Sequence, residues 1–160
     1  MPELAARSFR RWFGGFATGV TVVTAKHKDG PIGITINSLT SVSLEPPLLL
    51  FCLDRTAHVY PVLRAAKNFA VNILSEAQEL VSRHFADFHH HPAPPGLWDK
   101  PHKGVPVLKH TLGWMICEKV AIHKAGDHDI IVGKTLALHK TSGSLKPLLY
   151  FRGRYRGIGE

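Results

Sequence analysis

Cysteine and long apolar runs are scarce in this sequence, and each scarcity excludes a class of protein. The 160 residues include only two cysteines, Cys52 and Cys117, and no Cys-x-x-Cys motif, which excludes a zinc ribbon and a thioredoxin-type site. Each cysteine is predicted to be a small buried core residue. The longest apolar run, 46–53, has the length of a strand and is far shorter than the roughly 20 residues of a membrane-spanning helix.

The N-terminus has no apolar segment of the kind found in a secretory signal. The composition, 44% hydrophobic and 20% charged residues, is typical of a folded globular protein. No internal repeat or boundary interrupts the chain, and its length favours one domain. We therefore expect a single domain over 1–160, located in the cytoplasm and not associated with a membrane.

Acidic residues are also in short supply. Twenty Lys and Arg residues face 12 Asp and Glu, a formal net charge of +8, which suits nucleic acid, a membrane surface or a phosphorylated small molecule. The lysines are scattered singly, without a run of like charge or interleaved aromatic residues. We therefore expect no nucleic acid partner. The basic residues indicate either a solvated surface or a site for a phosphorylated small molecule.

Strand-like segments outnumber helical ones. Alternating or β-branched patterns predict strands at 19–25, 31–37, 48–53, 68–74, 114–123, 128–139 and 147–152. The strand at 48–53 is continuously apolar and is expected to be buried on both faces. Helical spacing predicts helices at 4–13, 56–67 and 75–85, whereas 87–106, with five prolines, is predicted to be a long irregular loop. Strands joined mostly by hairpins predict a mainly β, antiparallel barrel with helices on its outside.

The clearest hairpin joins 114–123 to 128–139, and each strand is predicted to have one apolar face. On the first strand this face is expected to comprise Trp114, Ile116, Val120 and Ile122. On the second it is expected to comprise Ile130, Val132, Leu136 and Leu138. His128 opens the second strand and is expected to point the same way as Ile130, toward the mouth of the barrel.

Polar side chains first cluster along 35–43, a segment that we call the polar ledge. Alternation places Thr35 and Asn37 on one face, and Ser41 and Ser43 are again two residues apart. Hydroxyls, an amide and backbone N–H groups together suit a flat heterocycle with several carbonyls and ring nitrogens. The alternative is an ordinary Ser/Thr turn that closes local hydrogen bonds.

A second polar segment, 54–58, lies where the apolar strand ends and a helix is predicted to begin. A helix N-terminus offers free N–H groups, to which Arg55 adds a guanidinium and Thr56 a hydroxyl. This combination indicates a phosphate site. A plain helix cap with a surface arginine is the alternative.

Histidines are the third group of candidates. His128 follows Gly126 and Asp127, and a lone histidine in a strand can equally be structural. The run 89–91, with His84 and His102 nearby, could bind a metal adventitiously, but three consecutive side chains do not converge easily on one ion, and we expect no metal site. The sequence has no nucleophile elbow, P-loop or HExxH motif, so chemistry here would come from a cofactor.

Five separated motifs, in order, are FATGVTVVT (16–24), GITINSLTSVSLEPP (33–47), NFAVNIL (68–74), GDH (126–128), and PLLY with GRY (147–155). Across roughly 9–156 they resemble the flavin reductase family, the small reductase components of two-component flavin-dependent monooxygenases. The resemblance implies a Greek-key split β-barrel of the FMN-binding type with a few peripheral helices. It also implies a homodimer that binds FMN or FAD, takes hydride from NADH or NADPH, and supplies reduced flavin to a flavin-dependent monooxygenase component.

The resemblance also assigns site residues by matching position. The flavin ring and ribityl chain fall to Thr35, Ile36, Asn37, Ser38, Ser41, Val42 and Ser43. The phosphate falls to Cys52, Leu53, Asp54, Arg55 and Thr56. His128 is placed near the nicotinamide as the catalytic candidate, and a C-terminal segment with Tyr150, Arg152 and Tyr155 is expected to close over the site.

The segment after the apolar strand departs from the family pattern. The family often has Asn/Asp-Arg/Lys-Ser-Ser-x-Thr there, whereas Thr56, Ala57 and His58 follow Arg55 in this chain. Fewer hydroxyls shift the expected phosphate contact toward Arg55, His58 and backbone N–H groups. A split-barrel protein that binds flavin or haem without turnover would share the polar ledge and differ on the nicotinamide side, and it stands as the alternative function.

Overall fold

Antiparallel strands dominate the computed structural model, which describes residues 6–87 and 93–159. The described helices are α1 (Ala6–Phe13), α2 (Tyr60–Ala65) and α3 (Glu79–Ala86). The described strands are β1 (Thr18–Gly19), β2 (Thr21–His27), β3 (Gly30–Ile36), β4 (Thr40–Leu44), β5 (Pro47–Asp54), β6 (Asn68–Ile73), β7 (Gly113–Ala125), β8 (His128–Lys140), β9 (Leu149–Phe151) and β10 (Arg154–Arg156). None of the described helices has the length and apolar character needed to cross a membrane.

The strands form two sheets. The larger has the order β3-β2-β6-β7-β8-β5-β4, and the smaller has the order β1-β9-β10. Every pairing within them is antiparallel. The antiparallel, mainly β prediction is therefore confirmed.

The main core lies against one face of the large sheet. Phe51 and Phe69 pack edge to face with their ring centroids 5.4 Å apart. Val23, Leu53 and Ile131 complete the same cluster. Burial of each such side chain contributes about 1.5–3 kcal/mol to stability, so this cluster fixes the alignment of the strands that carry the site.

The prediction that β5 is buried on both faces is wrong. Its side chains alternate: Leu49, Phe51 and Leu53 are buried, and the residues between them are only partly buried. Cys52 is one of these, so its predicted place in the core is also wrong, whereas Cys117 is buried as predicted. The physical reason is that only one side of β5 meets the main core, and its other side borders an open cleft.

The hairpin of β7 and β8 is confirmed, but its predicted faces are wrong. On β8 the core face carries Asp129, Ile131 and Gly133, and the supposed core residues Leu136 and Leu138 are 41% and 69% exposed. The alternation is correct, but its direction is reversed, because the glycine leaves room for a core ring and Asp129 is buried by polar partners.

On β7 the predicted common face is broken by two register shifts, at Ile116/Cys117 and at Lys119/Ala121. Each β-bulge displaces the following side chains relative to the sheet. Ile116 therefore packs in a cluster with Trp114, Ile122 packs against the main core, and Val120 is exposed.

The structure shortens one predicted helix and confirms where another begins. α2 is shorter than the predicted 56–67, because Pro61 lacks an N–H and is accommodated only in the first turn. α3 follows a 3₁₀ turn, Glu76–Gln78, with a capping box between Ser75 and Gln78, which confirms the predicted start at Ser75. The strands β1, β4 and β10 were not predicted as separate elements.

The predicted loop 87–106 contains no helix or strand among its described residues. Buried Asn72 anchors its far end by accepting a hydrogen bond from Leu108 N–H (2.9 Å) and donating to Val22 C=O (2.9 Å). Thr24 Oγ1 donates to Pro106 C=O at 2.6 Å. The histidines at 89–91 lie outside the described residues.

Candidate functional site

A cleft of about 260 Å³ lies between β3, the end of β5 and the end of α3. We call it the ledge cleft. The site residues nominated from the sequence that line it are Thr35, Ile36, Asn37, Ser38, Cys52, Asp54, His58 and His128. Tertiary structure thus brings the first part of the polar segment, 35–38, together with the segment after the apolar strand and the Gly-Asp-His histidine in one concave site.

Two hydrogen bonds fix the ledge to its neighbours. The N–H of Cys52 donates to Ser38 Oγ at 3.0 Å, which joins the end of β3 to β5. Thr35 Oγ1 donates to the carbonyl of Ser82 at 2.7 Å, which joins β3 to α3. Because the proton of Thr35 is used inside the protein, its hydroxyl presents acceptor lone pairs to a ligand.

His128 is held by its neighbour on the same turn. Its Nδ1 lies 2.7 Å from Asp127 Oδ1. This contact lowers the pKa of Asp127, because the carboxylate accepts a hydrogen bond from the imidazole and is stabilised by its charge. With Nδ1 engaged, Nε2 is the ring nitrogen left to meet a ligand.

His128 shares its strand face with Ile130, as predicted. His128 pairs with Asp54 across β5 and β8, and both line the ledge cleft. The next residue, Asp129, is 1% exposed and points to the core. His128 therefore lies on the face of the sheet opposite the core, because successive strand residues point to opposite sides.

Asp54 combines a place in the cleft with a local capping role. Its Oδ1 accepts hydrogen bonds from the N–H and the hydroxyl of Thr56, both at 2.8 Å. These two bonds hold the pKa of Asp54 below its ordinary value. Asp54 is therefore ionised at neutral pH, and the Thr56 hydroxyl serves the turn and does not line the ledge cleft.

Several nominated residues lie elsewhere. Leu53 is fully buried in the main core, and Arg55 donates to the carbonyl of Gly126. The nominated β4 residues do not line the ledge cleft; they are Ser41, Val42 and Ser43. The nominated residues of the small sheet and its turn do not line it either; they are Tyr150, Arg152 and Tyr155. Tyr155 approaches the cleft only indirectly, because its hydroxyl lies 2.8 Å from Ser82 Oγ on α3.

Sequence reasoning missed the wall formed by α3. Phe85, Ala86 and Asp87 line the ledge cleft, although Phe85 reads as an ordinary apolar residue of an amphipathic helix. A signal was present at Gly33, where a Cβ would lie 3.0 Å from the Phe85 ring. A glycine inside a strand marks such a close approach.

A second groove, also of about 260 Å³, adjoins the first and shares His58, Phe85 and Asp87 with it. Trp98, from the long loop, forms part of its wall. The ledge cleft therefore continues toward the β2–β3 hairpin, which gives an extended ligand space for a second planar group next to the first.

The donor set of the ledge cleft fits a flavin. The neutral hydroxyl and amide groups of Thr35, Asn37 and Ser38, at the end of β3 and just after it, can meet the carbonyls and ring nitrogens of a flat heterocycle. Ile34, Ile36 and Phe85 supply apolar surface for its faces. Among the described residues no cluster of three or more His, Cys, Asp or Glu is arranged to hold a metal ion.

Comparison with known proteins relates the chain to flavin reductases. The family described as flavin reductase like domain matches residues 13–159. The FMN reductase (NADH) SmoA of Agrobacterium fabrum is 42% identical over 157 residues, which cover 94% of this chain and 84% of that protein. The stachydrine N-demethylase reductase subunit Stc3 of Rhizobium meliloti is 45% identical over 150 residues. The match covers 93% of this chain, which spans only 64% of that relative's length.

Solved structures give the same relation. Flavin reductase PheA2 is 34% identical with a TM-score of 0.89, covering 98% of this chain and 100% of its own. The NADH:FAD oxidoreductase SgcE6 of Streptomyces globisporus, in complex with NAD and FAD fragments, is 36% identical with a TM-score of 0.87, covering 94% of this chain and 90% of its own. These matches confirm the fold implied by the resemblance, and this chain belongs to the flavin reductase family.

Proposed function

We propose that this chain is an NAD(P)H-dependent flavin reductase that takes hydride from NADH or NADPH, reduces FMN or FAD, and supplies reduced flavin to a partner flavin-dependent monooxygenase. The observation that carries the proposal is the meeting of Thr35, Asn37, Ser38 and His128 in the ledge cleft. A relative from Mycobacterium tuberculosis, 34% identical over 157 residues, is a flavin-dependent monooxygenase reductase subunit, which supports the partner. A cytoplasmic location is part of the proposal, because the proposed donor is a cytoplasmic metabolite.

A flavin held in the ledge cleft would supply the acceptor for the hydride that leaves C4 of the reduced nicotinamide. The residues of the chain act by position: the ledge on β3 holds the polar edge of the flavin, and Phe85 limits how far its ring can move toward α3. No general acid or nucleophile is required, so the rate depends on how well the two rings are aligned.

His128 is proposed to orient the carboxamide of the nicotinamide through Nε2. Asp127 is the positioning residue, because its 2.7 Å contact with Nδ1 fixes the ring. The groove that continues past Phe85 toward Trp98 gives the second half of the nicotinamide nucleotide a place beside the flavin.

The other nominated residues are proposed by family position. Arg55, His58 and the backbone at Asp54–Thr56 would meet the flavin phosphate, with Cys52 and Leu53 leading into this segment. The flavin contacts proposed from β4 are those of Ser41, Val42 and Ser43. The contacts proposed from the C-terminal segment are those of Tyr150, Arg152 and Tyr155.

We also propose a homodimer, on the basis of exposed apolar side chains. Leu138 is 69% exposed on β8, and Leu44 is 90% exposed on β4. Trp12, on α1, is 76% exposed. We propose that a second copy of the chain covers these exposed side chains. Sedimentation of Leu138→Glu tests the interface, with Leu80→Glu on α3, where Leu80 is 81% exposed, as the control. Only the first variant should weaken a dimer.

The function is tested by NADH and NADPH oxidation on the purified chain, with and without added FMN and FAD. Flavin-dependent turnover is the expected result, and the two flavin rates give the preference. Flavin binding without turnover from either nicotinamide would refute the reductase and favour a flavin-binding protein.

A further inference from the structure

A separate concavity of about 510 Å³ opens near the end of β5 and is rich in positive charge. Its lining residues are Arg55, Tyr60, Pro61, Arg64, Ala65 and Lys124. We call it the cationic cleft. The resemblance to flavin reductases nominated only Arg55 among these residues, so the role of Arg64 and Lys124 is open.

The cationic cleft and the ledge cleft lie on opposite sides of the same strand ends. Asp54 and His128 face each other across β5 and β8 and line the ledge cleft. Asp129, the next residue on β8, points to the other side, and Lys124 is its partner on β7. Because paired residues share a face, the Lys124 side chain lies on the same side of the sheet as Asp129.

Asp129 is a buried acid that contacts three of the residues lining the cationic cleft. Its carboxylate is 1% exposed and accepts a hydrogen bond from the Tyr60 hydroxyl at 2.7 Å. Arg64 Nε lies 3.7 Å from Oδ2 and Arg55 Nε lies 4.0 Å from Oδ1. Both distances are longer than a hydrogen bond, and Oδ1 accepts no hydrogen bond among the described residues. Asp129 therefore attracts the two guanidiniums without using their N–H groups.

The charges in this region do not cancel. One guanidinium would balance one buried carboxylate, yet Arg55, Arg64 and Lys124 converge on the same cleft. Lys119 adds another cation at the edge, where its ammonium donates to the Arg64 carbonyl. Its pKa is lowered by burial and by the nearby guanidinium of Arg64.

A second acid, Asp127, acts on Arg55. It interacts electrostatically with Arg55 but is hydrogen-bonded to His128 at 2.7 Å. Three cations against the buried Asp129 leave the cationic cleft with a net positive charge. A concave, cationic site of this kind is built to receive an anion.

We propose that the cationic cleft binds a phosphoryl group of a nucleotide, held by Arg64 and Lys124, with Asp129 and Tyr60 as positioning residues. The planar guanidinium matches the oxygens of a phosphate, and the Lys124 ammonium adds a point charge. Arg55 lies at the boundary with the flavin-phosphate segment. The anion that fits this place is the pyrophosphate of FAD, which FMN lacks, since the nicotinamide nucleotide is proposed to extend toward Trp98; this identification rests on the proposed function.

Calorimetric titration of the full chain with ADP, in low salt and with saturating FMN present, tests the site without turnover. Arg64→Gln/Lys124→Gln should weaken ADP binding at least about tenfold, the loss expected from two charge-assisted hydrogen bonds. The matched control, Lys134→Gln/Lys140→Gln on exposed positions of β8, should bind ADP as the wild type does. If the double variant unfolds at a lower temperature than the wild type, the single variants Arg64→Gln and Lys124→Gln replace it in the titration.

The other arms identify the source of the phosphate. If inorganic phosphate binds as tightly as ADP, and the double variant loses this binding, the result supports the site but assigns it to free phosphate. Preferential binding of 2′,5′-ADP overturns the assignment to FAD, because the 2′-phosphate belongs to NADPH. Equal ADP affinity in wild type and double variant, or no ADP binding by the wild type, overturns the proposal. Flavin-dependent NADH oxidation measured separately shows whether the reductase function stands in that case.

Discussion

Gly133 lies directly under the ring of Phe69 in the main core, and a single added methyl group there should destabilise the fold. An alanine Cβ at this position would lie 2.5 Å from Phe69 Cζ and 3.1 Å from Cys117 Cβ. Ordinary contacts between carbon atoms are about 3.5–4.0 Å, so the ring would have to retreat by about 1 Å. Phe69 is 1% exposed and packs on Phe51, which leaves it no space to do so.

The expected loss for Gly133→Ala is about 1–3 kcal/mol of unfolding free energy, the usual effect of overpacking a core. For a chain of this size, that lowers the melting temperature by about 2–12 °C. Urea denaturation gives the free energy, and thermal melting followed by circular dichroism gives the temperature. Gly19→Ala is the matched control, because a Cβ there would meet nothing within 4 Å.

The steric cause can be isolated with a second substitution at the clashing ring. Phe69→Leu removes the atoms that Gly133→Ala would strike, so the double variant should be more stable than the sum of the single effects by at least about 0.5 kcal/mol. A Gly133→Ala variant within about 0.5 kcal/mol of the wild type, or strictly additive effects in the double variant, would refute the reasoning.

Three further predictions concern the loop anchor, the site and the acid limb of stability. Asn72→Ala should lower the free energy of unfolding in urea by about 2–5 kcal/mol, because it leaves buried backbone groups without hydrogen-bond partners. The control Asn68→Ala should cost less, because the side-chain oxygen that it removes is buried without a hydrogen-bond partner. His128→Ala should raise the KM for NADH strongly and change flavin affinity little; an unchanged KM would contradict its role. Because Thr56 lowers the pKa of Asp54 below 3.8, the stability that Asp54 contributes is full above about pH 4 and is lost as the pH falls through the lowered pKa. Acid titration of Asp54→Asn should lack this component.

The sequence determined the features that depend on local chemistry. Alternation at 128–139 and the turn at Gly126 specify a hairpin, and Ser75 with Gln78 specifies the start of a helix. The motifs around Thr35, Asn37 and Ser38 predicted a polar ledge, and their order along the chain identified the family. Each of these properties is set by neighbours within a few residues, so it can be recognised without knowing what the segment packs against.

Only the tertiary structure decided which side of a strand is inside and which distant residues share a site. Leu138 is exposed and Asp129 is buried on β8, because Tyr60 bonds to Asp129 and Phe69 fills the space over Gly133. The wall formed by Phe85, and the gathering of Arg64 and Lys124 around Asp129, likewise join residues far apart in the chain. A period-two pattern is the same for both faces of a strand, so the energetic choice between them comes from packing with remote partners that the local pattern does not contain.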